Sequence, residues 1–131
     1  MADIAKRAEA DGGVRPVRSD VQDTFVAGVN FDAGDAVYID PANGNAVKSG
    51  GTYYGLAAKR ATAGMAVTAV RIGIFDGLDV SALGFGAGVF TSATAGRVAD
   101  TTATGQKQIG FVVPGYGSRP ADRLVFIGEA V

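Results

Sequence analysis

The sequence predicts an all-β fold: one body built from two related strand-turn-strand units, preceded by an extended N-terminal arm. Three observations carry this prediction. Gly supplies 20 of the 131 residues, about twice its usual share of roughly 7%, and it comes with many Thr and Val, as short strands and tight turns require. Apolar residues alternate with polar or small ones at the period of a strand. A unit also recurs, since Gly86, Val89, Phe90 and Gly96 repeat Gly34, Val37, Tyr38 and Gly44 at a spacing of 52. Gly55-Leu56-Ala57-Ala58 leading to Val70-Arg71-Ile72-Gly73 is echoed by Gly110-Phe111-Val112-Val113 leading to Val125-Phe126-Ile127-Gly128, now at a spacing of 55. The change of spacing puts about three added residues between Asp100 and Gln108. Neither unit is long enough to bury a core alone, so the two are expected to share one.

Residues 1–22 differ from the rest. They carry Lys6, Arg7, Arg15 and Arg18 against Asp3, Glu9, Asp11 and Asp20, with only Ile4, Val14, Val17 and Val21 as sizeable apolar groups. A helix over Ala2 to Ala10, ended by Gly12 and Gly13, would be too short to stand alone in water. Pro16 fixes its own φ and drives Arg15 out of the α region, so Val14 to Arg18 reads as extended. The expected division is an arm over 1–22 and a single β domain over 23–131. The arm has too little apolar area to hold itself down. It is expected to be mobile in the free chain, removable without unfolding the body, and ordered on a partner.

The body begins with a strand over Thr24 to Phe31, where Phe25, Ala27, Val29 and Phe31 share one face. A turn at Asp32 to Asp35 precedes a strand over Ala36 to Ile39. Asp40-Pro41-Ala42-Asn43-Gly44-Asn45 is the strongest turn signal, because Pro presets φ and Asn-Gly supplies positive φ. Ala46 to Lys48 returns, and Thr52 to Ala58 is a strand with Tyr53 and Tyr54 on opposite faces. The longest strand is Ala66 to Phe75, in which Val70, Ile72 and Ile74 point one way and Arg71 the other. Asp76 to Leu83 separates the units, with a helical turn capped by Asp79. Val89 to Thr91, Arg97 to Ala99, Ile109 to Val113 and Arg123 to Ile127 are the strands of the second unit, with breaker-rich loops at Thr101 to Gly105 and Pro114 to Pro120. Leu124 and Phe126 are apolar where the first unit has Ala69 and Arg71, so another segment or another chain must cover them.

Several chemistries lack their residues. There is no Cys and no His, which removes thiolate nucleophiles and the usual N/S metal ligands. Net charge is −1, too weak a field to draw the chain onto nucleic acid or an anionic membrane. No stretch approaches the roughly 20 apolar residues that span a bilayer, and the N-terminus lacks the apolar run of a secretory signal. Gly84-Phe85-Gly86-Ala87-Gly88 has neither the dinucleotide spacing nor the Lys-Ser/Thr of a phosphate loop. The spacing of Asp40, Asn43 and Asn45 suits turn chemistry rather than calcium. The carboxylate pairs Asp32/Asp35 and Asp76/Asp79 fall in turns expected to be solvated, which does not separate two pKa values for acid-base work. Tyr53, Tyr54 and Tyr116 with Lys59 and Arg60 offer stacking rings and cations to a single strand of nucleic acid, though core and interface use is the commoner fate of such rings. No catalytic residue, metal site or cofactor is expected.

Val26-Ala27-Gly28, Ala33-Gly34-Asp35-Ala36-Val37-Tyr38, Tyr54-Gly55-Leu56-Ala57 and Thr68-Ala69-Val70-Arg71-Ile72-Gly73, followed by Gly88-Val89-Phe90, Ala103-Thr104-Gly105, Ile109-Gly110-Phe111 and Val125, resemble the small Gly/Ala-rich capsid decoration (cement) proteins of tailed bacteriophages. The resemblance covers most of residues 24–131 and rests on small residues and their spacing. It implies a compact β-barrel or β-tulip, usually a homotrimer, made in the host cytoplasm and seated on the outer surface of the capsid, where it ties major capsid subunits together. The arm would then supply the capsid contacts, with Ile4, Arg7, Val14, Arg15, Pro16, Val17, Arg18 and Val21 as candidates, and Leu124 and Phe126 would lie in the oligomer interface. Neither nucleic acid nor membrane is an expected partner. The alternatives are a fibre-associated or adhesin-like virion protein and a small nucleic-acid-binding β-barrel. Ala33-Gly34-Asp35 also resembles the strand start of biotinyl and lipoyl carrier domains. Those need a Lys at a hairpin tip, where this chain has Asn43-Gly44.

Overall fold

The computed structural model describes residues 3–102, 105–115 and 123–128. Among them are nine strands: β1 (Arg15–Val26), β2 (Ala36–Ile39), β3 (Ala46–Val47), β4 (Thr52–Ala57), β5 (Ala66–Asp76), β6 (Gly88–Thr91), β7 (Val98–Ala99), β8 (Gln108–Pro114) and β9 (Arg123–Ile127). All their pairings are antiparallel. They form one sheet in the order β3-β2-β4-β5-β9-β8-β6-β7, with β1 added on β5. The fold is therefore all-β, and the sheet curls into a half-barrel, in keeping with a small β-barrel.

The sequence repeat is a structural repeat. Tyr38 pairs with Val47 and Ile39 with Ala46, and 52 residues on Phe90 pairs with Ala99 and Thr91 with Val98. The ladder shifts register between Val37 and Tyr38 against β4, and again between Val89 and Phe90 against β8. Gly55 and Gly110 hold equivalent posts, because a Cβ on either would overlap a backbone carbonyl of the next strand, that of Val70 or that of Phe126. Here the structure corrects the expected spacing. The post opposite Gly55 is Val70, but that opposite Gly110 is Phe126 rather than Val125, so one further residue has entered between β8 and β9.

The long strand β5 organises the sheet. Val70 pairs with both Gln22 of β1 and Leu56 of β4, while Gly73 pairs with both Ser19 of β1 and Ile127 of β9. A strand has two edges, so β1 occupies one along its whole length while β4 and then β9 share the other. Two buried clusters lie inside. The larger combines Ala36, Leu56 and Val70 of the first unit with Val89, Val98 and Val125 of the second, and the smaller gathers Ala27, Phe31, Val37 and Val67 at one end. The two units thus complete a common core.

Three local expectations are corrected. The first strand runs over Arg15–Val26 rather than Thr24 to Phe31, because its partner begins at Ala66, opposite Val26. Beyond it, Ala27 and Phe31 make only isolated bridges to Ala46 and Ala61. In β5, Val67, Ala69, Val70 and Phe75 are buried while Ile72 and Ile74 are half-buried. The cause is a bulge, since Gln22 faces Val70 and Val21 faces Ile72, and the skipped residue changes which face points inward. In place of a helix over Ala2 to Ala10 the chain has bridges at Asp3 and Lys6 and a 3-10 turn at Glu9–Asp11, because its amides bond to the body. The loop from Tyr116 to Pro120 and the residues Ala103 and Thr104 lie outside the described residues.

The glycine posts give a direct check. Gly55→Ala and Gly110→Ala should each cost about 1–3 kcal/mol through overpacking against backbone. Gly84→Ala, which meets open space, should change stability by less than about 0.5 kcal/mol. Urea unfolding of the three variants tests the contrast.

Candidate docking surfaces: the strap, the β1 edge and the apolar tip

Residues 3–14 form a strap across the body rather than a loose arm. The Ile4 N–H donates to the Val98 carbonyl at 2.8 Å, the Arg7 N–H to Gly77 at 2.7 Å, and the Asp79 N–H to Ala5 at 2.8 Å. The Ser92 hydroxyl donates to the Asp3 carboxylate. These bonds satisfy backbone groups that would otherwise be stranded at the margin of the sheet. Ile4 and Val14 are 4% and 8% exposed and belong to the larger core cluster, and a Val14 methyl packs where Gly34, at φ +81°, has no side chain.

Charge fastens the strap at its middle. Asp35 is buried, and its carboxylate takes the Lys6 ammonium on one oxygen and Lys48 Nζ at 3.4 Å on the other. The same carboxylate accepts the Asp32 N–H at 2.8 Å. A buried carboxylate needs this saturation, because the cost of desolvating it is recovered only when its lone pairs are met. Asp35 is therefore not the solvated turn residue that the sequence suggested. A signal for it existed in the repeat, where the residue 52 further on is the uncharged Ala87. Arg7 bonds Asp76 at 2.9 Å and the Gly13 carbonyl at 3.1 Å.

The eight candidate contact residues consequently separate. Ile4 and Val14 are core, Arg7 is held to Asp76, and Pro16 is half-buried. Arg15, Val17, Arg18 and Val21 are exposed on β1. The expected boundary between residues 22 and 23 falls inside that strand. On β1, Arg18 makes a forked pair with Asp20, Nε lying 3.0 Å from both carboxylate oxygens. This bond lowers the pKa of the Asp20 carboxyl from its ordinary value, with desolvation opposing it. At the far end of the β1–β5 ribbon Val26 pairs with Ala66 and the Ala27 N–H donates to the Met65 carbonyl at 2.8 Å, and Val26, Met65 and Val29, three residues beyond the strand, are each exposed, Met65 at 64%. Sequence reasoning missed this tip because it assigned Val29 to a strand.

Leu124 and Phe126 are half-buried. Phe126 packs on Phe111 of its own chain with ring centroids 5.2 Å apart, so part of the cover these residues needed comes from within the chain. Phe111 remains 38% exposed on the outer flank. Nearby, Arg123 lies over Phe85, 4.6 Å from the ring centroid, and donates to the Leu83 carbonyl at 2.9 Å.

The remaining candidate chemistries find their residues engaged. Asp79 caps a turn by accepting the Ser81 hydroxyl at 2.6 Å, which with the Ser81 N–H lowers its pKa. A groove of about 520 Å³ beside the strap is lined by Lys6, Arg7, Asp76, Asp79 and Arg123, several of whose charges are already matched. No group of three or more metal-ligating side chains occurs among the described residues. Tyr53 is buried against Tyr38 at 5.8 Å, and Tyr54 meets Phe25 edge-on at 5.1 Å with Arg71 over its ring. The two rings serve different packing sites rather than one stacking platform, and Tyr116 lies outside the described residues. Burial raises the Tyr38 pKa, opposed by a hydrogen bond with Thr91.

No protein-family model, no curated protein and no solved structure matches this chain.

The strap changes the expected result of truncation. Deleting residues 1–18 should destabilise the body by at least about 3 kcal/mol, from the lost burial of Ile4 and Val14 alone. Asp35→Asn should cost about 2 kcal/mol, less than the roughly 3–5 of a fully buried pair because both lysines reach solvent. Denaturant titration measures both, and a truncated chain as stable as the full one would make the strap a mere tail.

Proposed function

We propose that this chain is a structural virion protein that binds the outer surface of a phage capsid and braces contacts between major capsid subunits. The observation that carries the reading is the apolar tip of Val26, Val29 and Met65, presented at the end of a long paired ribbon on an all-β body. Large apolar side chains left exposed at the end of a rigid ribbon suit contact with a protein partner. Support also comes from the sequence resemblance over residues 24–131, which takes in β5 of the ribbon, the last three residues of β1 and the sheet beside them. In this reading attachment belongs to the preformed ribbon rather than to an arm that orders on contact. Self-association as a trimer would use the flank of Leu124, Phe126 and Phe111. The site of action is the virion surface. No helix among the described residues is long and apolar enough to cross a membrane.

Co-sedimentation with undecorated phage capsids tests the proposal. The full chain should pellet with capsids, and Val26→Asp with Met65→Asp should weaken attachment at least about tenfold by placing charge in an apolar contact. Failure of the full chain to bind, together with micromolar binding to single-stranded DNA at physiological salt, would transfer the reading to a nucleic-acid-binding barrel.

A further inference from the structure

We infer that the outer edge of β1 is a self-complementary interface, where two copies of this chain pair strand against strand about a two-fold axis at Ser19. The sheet has three margins among the described residues. Two are the two-residue strands β3 and β7, which receive isolated bridges from Ala27 and Asp3. The third is β1, 12 residues long, exposed at all but Pro16 and Phe25, with all its ladder partners in β5. A long strand with an unpaired edge is a template for another strand.

The order of side chains specifies which strand. Arg15 and Arg18 precede Asp20 and Asp23. Antiparallel pairing centred on Ser19 sets Arg15 opposite Asp23 and Arg18 opposite Asp20 of the second copy, and symmetry repeats both pairs. The same register sets Val17 opposite Val21, bringing together four side chains that are 49% and 43% exposed in the single chain. Directly opposed residues of unlike charge or of β-branched type stabilise antiparallel pairing, and like charges oppose it. Sliding one strand by two residues moves the centre to Arg18 or Asp20 and confronts each with itself. A slide of one residue turns one copy over relative to the other and sets Val17 opposite Asp20 or Arg18 opposite Val21. A parallel arrangement in register would set every charge against its own kind. The forked Arg18–Asp20 pair already places these two side chains on one face, so pairing extends it to an alternating cluster of four. The irregularities of β1 against β5 fall between Pro16 and Arg18, between Ser19 and Val21 and between Val21 and Gln22. They twist the edge away from indiscriminate partners, while a two-fold axis presents the same irregularity from both chains. Pro16, which lacks an N–H, stays outside the central five residues.

This contact is independent of the capsid reading, and it doubles whatever assembly the other faces build. Sedimentation of three full-length proteins tests it: the wild type, R15D/R18D, and D20R/D23R. The wild type should double its mass as concentration rises. Each variant alone should remain at half that mass, its association weakened at least about 100-fold by opposed like charges. An equimolar mixture should recover the doubled mass, since one β1 is then wholly acidic and the other wholly basic. Should a double variant lose its circular-dichroism spectrum, R18D and D20R alone carry the same comparison. A wild type that never doubles, variants that associate like the wild type, or a mixture that fails to recover would each overturn the inference. In the second case the edge accepts some other strand or none.

Discussion

Everything in this fold depends on β5, an 11-residue strand paired along its length by β1 on one edge and by β4 and β9 in turn on the other. A strand placed so has every backbone donor and acceptor answered only if neighbours run the full length on each side. One side is met by a single strand, β1. The other is divided, β4 pairing at Ala69 and Val70 and β9 at Gly73 to Phe75. The division lets the two units diverge from one line, and their inner faces then close on a common core. Close approach at the branch is enforced by Gly55 and Gly110, where any side chain would strike the neighbouring carbonyl. Glycine there costs backbone entropy on folding, and it is tolerated because the alternative is a clash with main chain that cannot move aside.

The strap depends on the same arrangement. Residues 3–14 pass from β7 to the end of β5 and deliver Ile4 and Val14 to the core that the two units share. Their backbone bonds run to Val98, Gly77 and Asp79, so the strap ties the second unit to the segment between the units. Asp35 adds a tie to the first unit, where one carboxylate gathers Lys6 from the strap and Lys48 from just beyond β3. A chain segment with few apolar residues is ordered here by two well-placed ones and one buried charge cluster, rather than by a core of its own.

Much of the fold was legible because the strongest signals were local. The turn at Asp40 to Asn45 uses Pro and Asn-Gly, and β2 and β9 have the bounds that their alternation gives. The repeat was legible as well, because equivalent glycines serve equivalent needs: positive φ at Gly34 and Gly86 and at Gly44 and Gly96, close backbone approach at Gly55 and Gly110. What stayed hidden was set by long-range partners. The start of β1 at Arg15 follows from where β5 ends, and the inward face of β5 changes at a bulge imposed by pairing with β1. A composition count described the arm as too polar to pack, yet Ile4 and Val14 are buried, since a count does not say where two residues lie. Of the candidate surfaces, the exposed residues of β1 were named from the sequence, whereas the tip of Val26, Val29 and Met65 required knowing which turn sits beside which.

The asymmetry between the two units explains where the molecule is open. Both units contain the same internal pairings, and each ends in a two-residue outer strand, β3 or β7, that is too short to invite another chain and is bridged besides. The last strands differ. The outer edge of β9 is taken by β5, so the second unit is closed by the first. The first unit has no further repeat to close it, and β1, drawn from the N-terminal segment, takes that place. Adding a strand to an edge covers one edge and creates another. The new edge carries Arg, Val, Arg, Asp, Val and Asp from residue 15 to residue 23, with only Pro16, Ser19 and Gln22 between them. Opposite charges at the two ends of a strand make it unattractive to a parallel copy of itself and complementary to an antiparallel one. The sequence of β1 therefore reads both as protection against wrong pairing and as a specification of the pairing that remains.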